Sequence, residues 1–353
     1  PQRRLDALEQ VAGEGDLIRA VHLRLDDIDA APAGVAGGVA ALVQVVQGDQ
    51  RSEHGVHDPL GDLVALAVQN GVTGHQVADV AHEHQAAPGE QQFAAVGGGE
   101  LPVGMEAAGE GPAVVMIHDG LLHRETWNAQ FDEFAANHRM IRWDKRGYGR
   151  SDKPTVAFRH LDDVYALMKA LAVERASLVG CSSGSLTAIE FAVEHPDMVS
   201  SLVLVGPIVS GFGFSEHFRT RGDRGMPDGD APADQRIEYW TATDPWAMAP
   251  ESTAARKSMK TLMVENPQNL TGSGSFARWP GFSSLGRLPE IGVPTLIVVG
   301  ESDMPDVHAH AGVIQAGIEG STRVVLTNSG HLAHFEVPDT FNPLVLEFLE
   351  AIE

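Results

Sequence analysis

Residues Ala176 to His195 read ASLVGCSSGSLTAIEFAVEH, and this stretch decides the fold. A short apolar run, ASLVG, passes at once into CSSGS and then into LTAIEFAVEH, which reads as a helix. A strand therefore turns directly into a helix at Gly180-Cys181-Ser182-Ser183-Gly184. Only Ser182 has glycine both two residues before it and two residues after it, and a side chain at either position would collide with the neighbouring strand or helix. A serine on such a bend is lifted clear of the sheet. The following helix N-terminus turns its free backbone N–H groups and positive dipole end toward it, which favours a developing oxyanion. Ser182 is the candidate nucleophile, and Ser183 is the rival hydroxyl on the same turn.

On both sides of this turn the chain alternates between strand and helix. AVVMIH (113–118), HRMIRWD (138–144), VSSLVLVG (199–206), TLIVVG (295–300) and STRVVLT (321–327) are short apolar runs of buried-strand type. Between or after them, TWNAQFDEFAAN, HLDDVYALMKALAV, HAHAGVIQAGI and TFNPLVLEFLEAI read as helices. Strands separated by helices imply parallel β-α-β units, so the expected class is α/β with a doubly wound, mostly parallel sheet. The core divides into residues 99–206 and 287–353. Between them, residues 207–286 interrupt the alternation with Gly, Pro and charged residues among Phe212, Phe214, Phe218, Trp240, Trp246 and Trp279, as an inserted lid would. Residues 1–98 contain no Lys, Tyr, Trp or Met and show only weak helical patterning. They are set apart as an N-terminal extension with no assigned fold, either non-native or poorly ordered.

A serine hydroxyl needs a base to activate it and a carboxylate to orient that base. Both occur downstream, each at the C-terminal end of an expected strand, where the sites of open α/β sheets form. Asp303 follows TLIVVG and is the expected acid, with Asp306 in reserve; His331 follows RVVLT and is the expected base. His334 reads instead as a packing histidine, and the glycines of DKRGYGRS (144–151) as those of a structural turn. His54, His57, His75, His82 and His84 show HxxH and HxH spacings, but with no regular element to hold ligands they are read as chance.

From about residue 99 onward the chain resembles the α/β-hydrolase superfamily: IHDGLL, DKRGYGRSDKP, LVGCSSGS, GESD and NSGHLAHFE come in that family's order. The resemblance implies an oxyanion hole built from the backbone N–H of Ser183 and a second N–H in the loop after AVVMIH, by position that of Gly120, with Leu121 as the alternative. The sequence departs from the family at Asp119, which replaces the usual glycine beside His118. Its carboxylate would disfavour an oxyanion if turned inward, so it is expected to point outward. Relatives on this scaffold that use an aspartate nucleophile are set aside by Ser182.

These readings converge on cleavage of carboxylic esters or lactones through an acyl-enzyme. Leu121, Cys181, Trp240 and Trp246 are expected along the substrate. Other serine chemistry on the same scaffold (C–C bond hydrolysis, perhydrolysis, amide hydrolysis) and a non-catalytic ligand-binding protein are the alternatives. No cofactor or metal is required. With 25 Lys and Arg against 48 Asp and Glu, a net charge of -23 opposes nucleic acid and anionic membranes and suits a small neutral substrate. The lone cysteine excludes a disulfide framework, and no apolar run reaches membrane-spanning length. A cytoplasmic monomer or homodimer is expected.

Overall fold

The computed structural model describes residues 92–96, 99–278 and 281–352, with side chains from residue 103 onward. The expectations for the remainder of the N-terminal extension, its histidines and Trp279 lie outside the described residues. Among the described residues, eight strands form one sheet: β1 (Gln92–Val96), β2 (Gly99–Ala108), β3 (Ala113–Ile117), β4 (Arg139–Trp143), β5 (Ala176–Cys181), β6 (Val199–Val205), β7 (Thr295–Gly300) and β8 (Thr322–Leu326). Their spatial order is β1-β2-β4-β3-β5-β6-β7-β8. β1–β2 and β2–β4 pair antiparallel, and every other pair is parallel. The sheet thus begins ahead of the boundary drawn at residue 99. The unforeseen β2 carries a faint alternation, with Val103 and Met105 buried on one face.

Helices cover both faces, and the two-residue period of the strands assigns the side chains between them. On β5, Ala176 and Leu178 join one apolar cluster, while Val179 and Cys181 join the other. The first cluster is closed by α2 (His160–Ala170), α3 (Ser183–Glu194) and α7 (Pro305–Gly317). The second is closed by α1 (Asn128–Phe134), α8 (Ala333–Glu336) and α9 (Pro338–Glu350). Because β5 is buried along its whole length, its residues are apolar or small without alternation. Each wholly buried Val, Leu or Ile in these layers contributes roughly 1.5–3 kcal/mol.

Between β6 and β7 the chain leaves the sheet as a helical insertion, containing α4 (Glu216–Arg219), α5 (Ala233–Glu238) and α6 (Thr253–Glu265). Arg221 pins it from within, pairing with the buried carboxylate of Asp244 at 2.6 Å and lying over the rings of Trp240 and Trp246 at 5.0 and 5.5 Å. Among the described residues no helix is long and apolar enough to cross a membrane.

Candidate active site

Ser182 sits at the junction of β5 and α3 with φ 53° and ψ -115°, a left-handed conformation that L-residues adopt only under strain. Its N–H donates to the Val205 carbonyl at 2.8 Å, which ties the turn to the end of β6. The two glycines serve the turn as expected: a Cβ on Gly180 would strike the Gly184 backbone, and one on Gly184 would strike the Ile117 carbonyl. Ser183 is the first residue of α3, so only Ser182 occupies the bend itself.

Asp303 and His331 are brought together. His331 Nδ1 donates to Asp303 Oδ2 at 2.9 Å and Oδ1 at 3.1 Å, which leaves Nε2 as the basic nitrogen. The acid is nearly sealed, its side chain 1% exposed, while the imidazole keeps 21%. Backbone bonds lace the two loops: Ser302 N–H to Ser329 O at 2.9 Å, and Glu301 N–H to Leu326 O at 2.8 Å. Burial pulls the His331 pKa down, but the charge and hydrogen bond of Asp303 outweigh it and hold the pKa above its ordinary value. The ring rests against Gly206, where an added Cβ would lie 2.9 Å from Nδ1. Gly206 follows the residue that accepts the Ser182 N–H, so base and candidate nucleophile share one end of the sheet. Among the described residues no hydrogen bond joins the Ser182 hydroxyl to the imidazole.

The reserve and packing residues separate cleanly. Asp306 is half-buried and accepts from Ser215 N–H at 2.6 Å and Ser215 Oγ–H at 2.8 Å, not from the histidine. His334 is buried against Trp127, with ring centroids 4.0 Å apart, and burial lowers its pKa to about 3. Asp144 holds the DKRGYGRS turn, taking the N–H groups of Arg124 at 2.8 Å and Arg150 at 2.9 Å and pairing with the Arg124 guanidinium.

Asp119 requires a correction. It is 1% exposed rather than turned outward. Its Oδ1 accepts from Leu121 N–H at 2.6 Å and Leu122 N–H at 3.0 Å, and its buried Oδ2 has no partner among the described residues. An aspartate two residues ahead of a free amide closes such a turn on its own backbone, and the N–H groups it finds there replace the solvent it would otherwise need. The bond also occupies the Leu121 N–H. The N–H groups of Gly120 and Ser183 make no hydrogen bond to the described residues.

Of the residues expected along a substrate, Trp246 reaches the site through its backbone, its carbonyl accepting the His331 N–H at 2.9 Å. Trp240 stands beside Arg221 in the insertion, and Leu121 is partly buried behind Asp119. Cys181 is a second correction. It is fully buried in the core and its thiol faces the His331 carbonyl at 3.9 Å, so it packs under the site rather than lining an open pocket.

Two residues went unread in the sequence. Glu336 takes the Gly330 N–H at 2.7 Å immediately ahead of His331, and Lys145, 1% exposed, donates from Nζ to Ser183 Oγ at 2.8 Å. The family-like segment NSGHLAHFE contains the first, and the charge of a lone lysine inside a structural turn marks the second. Among the described residues no group of three or more His, Cys, Asp or Glu could hold a metal ion. An open cleft on the insertion, of about 720 Å³ and lined by residues including Ile237, Tyr239, Lys260 and Val264, touches none of these residues.

The model of the alpha/beta hydrolase fold matches residues 112–338. This chain belongs to the α/β-hydrolase family. Among curated relatives, a 2-hydroxy-6-oxo-6-phenylhexa-2,4-dienoate hydrolase of Comamonas testosteroni is 30% identical over 259 residues, covering 69% of this α/β-hydrolase and 89% of the relative. A 2-hydroxy-6-oxononadienedioate/2-hydroxy-6-oxononatrienedioate hydrolase 2 of Pseudomonas putida is 31% identical over 282 residues, covering 73% and 96%. Among solved structures, Est816, described as an N-acyl homoserine lactone degrading enzyme, superposes with a TM-score of 0.57 at 27% identity, covering 73% of this chain and all of that one.

Proposed function

We propose that this α/β-hydrolase cleaves carboxylic esters or lactones through a Ser182 acyl-enzyme, with His331 as base, Asp303 as its orienting acid and the insertion as a lid. The observation that carries the reading is the two-oxygen grip of Asp303 on His331 Nδ1 beside the strained Ser182 turn. His331 Nε2 takes the Ser182 proton as Oγ bonds to the carbonyl carbon, and the carbonyl π pair moves to oxygen. The N–H groups of Ser183 and Gly120 receive that oxyanion. As it collapses, the bond to the leaving oxygen breaks and His331 returns the proton to it. Water then attacks the acyl carbon as His331 takes its proton, and on collapse the acyl–Oγ bond breaks, His331 returns the proton to Ser182 Oγ, and the acid is released.

The relatives supply a second reading, since the names of two of them specify hydrolases of 2-hydroxy-6-oxo dienoates, whose cleavage would break a C–C bond. A panel of p-nitrophenyl esters, lactones and a 2-hydroxy-6-oxodienoate separates the two. Esters or lactones turned over, with a fluorophosphonate mapped to the peptide of Ser182 and lost in Ser182→Ala, is the expected result. Turnover of the dienoate alone moves the assignment to C–C cleavage, and labelling absent throughout removes the serine mechanism.

A further inference from the structure

Ser183 has a side chain with an unspent proton. Its Oγ accepts from Lys145 Nζ at 2.8 Å and makes no other hydrogen bond to the described residues. A hydroxyl that receives a hydrogen bond from an ammonium, which cannot accept one, must turn its own proton elsewhere. That proton lies beside the other half of the proposed hole, because a Cβ built on Gly120 would stand 3.5 Å from this same oxygen. Lys145 reaches the spot from the loop after β4, anchored by its N–H on His118 Nε2 at 2.9 Å, and its ammonium lies 5.1 Å from the Tyr148 ring centroid. Among the described residues no carboxylate lies within ion-pairing distance of it.

We propose that the Ser183 hydroxyl, polarised by the Lys145 ammonium, is a third donor to the carbonyl oxygen, beside the backbone N–H groups of Ser183 and Gly120. This rests on the acyl-enzyme reading above. As Ser182 Oγ bonds to the carbonyl carbon, the oxygen gains the π pair and Ser183 O–H tightens its hydrogen bond to it without giving up the proton. When the intermediate collapses the pair returns to the carbonyl. Ser183 touches the reacting oxygen; Lys145 acts through Ser183 and is a positioning residue. The ammonium also answers the problem set by Asp119, whose buried carboxylate would otherwise raise the energy of an adjacent oxyanion.

The arrangement carries a pH signature. Burial lowers the Lys145 pKa to about 8, against the opposing pull of Asp119 and of the Cys181 thiol. Of the other groups facing it, burial pulls the His118 pKa well below its ordinary value and the His160 pKa to about 3, so both are neutral, and burial holds the Tyr148 phenol protonated. Above pH 8 the neutral amine accepts a hydrogen bond from the Ser183 O–H, the hydrogen bond reverses, and the third donor is withdrawn.

The test uses the full chain, with p-nitrophenyl acetate turnover and the second-order rate of fluorophosphonate labelling as readouts. Removing one oxyanion donor costs on the order of a hundredfold or more in kcat; with two backbone donors still in place, Ser183→Ala should lower kcat by a smaller factor, about tenfold to a hundredfold, with KM within about twofold. Ser183→Thr, which keeps the hydroxyl, should recover most of that loss. Lys145→Met should show a similar drop and lose the alkaline decline near pH 8, and the double variant should be no slower than Ser183→Ala alone. Parent-like kcat in Ser183→Ala, equal losses in the Ala and Thr variants, or additive losses in the double variant would overturn the proposal. If Lys145→Met does not fold, the Ala and Thr pair decides. Failure of the acyl-enzyme reading is distinct: the unsubstituted protein would then neither label nor turn over, before any change at Ser183.

Discussion

Glu336 and Gly330 are joined by a 2.7 Å hydrogen bond from the Gly330 N–H to Oε1, while the other carboxylate oxygen of Glu336 takes Ala249 N–H and Ser252 Oγ–H, each at 2.7 Å. One half-buried side chain therefore clamps the His331 loop to the insertion. Glu336→Gln replaces an acceptor oxygen with an NH₂ group, so one set of these donors loses its partner. Urea denaturation should show a loss of about 1–3 kcal/mol. Turnover should fall as well, because the imidazole loses the backbone that fixes it; unchanged stability and rate would show that the clamp is idle.

The pH dependence follows from His331. Its pKa is held above 6.5 by Asp303 in spite of burial, so activity should rise with pH through a midpoint above 6.5. The stability supplied by the pair runs the other way: it is complete below the unfolded imidazole's pKa and is lost as pH rises through the raised folded value. Asp303→Asn should lower kcat by about 10⁴-fold, as loss of the tautomer-setting acid does, and move the activity limb to lower pH. A pH–rate profile of both proteins checks the direction, and an unmoved limb contradicts it.

Ser182 itself should be a stability cost. Its positive φ is easy only for glycine, so Ser182→Gly should raise unfolding stability by about 1–3 kcal/mol while abolishing turnover. Ser182→Ala should abolish turnover without that gain. Equal melting temperatures for the two variants would mean that the turn is unstrained.

Asp244 should matter to both stability and substrate binding. It pairs with Arg221 and caps the Trp246 N–H at 3.0 Å and the Ala247 N–H at 2.7 Å, and the Trp246 carbonyl in turn holds His331. Removing one partner of a buried pair typically costs about 3–5 kcal/mol. Asp244→Ala should therefore lower the melting temperature and raise KM together. A change in KM alone would place Asp244 at the substrate rather than in the frame.

The parallel strands were legible because burial on both faces demands unbroken apolar runs, as in TLIVVG and VSSLVLVG. The Ser182 turn was legible because only glycine fits at Gly180 and Gly184. Strands β1 and β2 were not, since Gln92–Val96 is rich in alanine and Gly99–Ala108 holds glycine and proline, so their pairing comes from neighbours rather than local pattern. The orientation of Asp119 was not legible, because the amides two and three residues on, rather than repulsion from an oxyanion, fix its carboxylate. Lys145 and Glu336 act across separations of 38 and 87 residues, as in Lys145–Ser183 and Glu336–Ala249, which no spacing rule reaches.

The order of the loops around the insertion has a temporal side. During synthesis the ribosome delivers the strained Ser182 turn well before the segments bearing Asp303 and His331, with the whole excursion from β6 to β7 in between. Under the acyl-enzyme reading, a nascent chain therefore exposes an unassisted hydroxyl, chemically no keener than any other serine, and hydrolytic power would arrive only when the later strands dock.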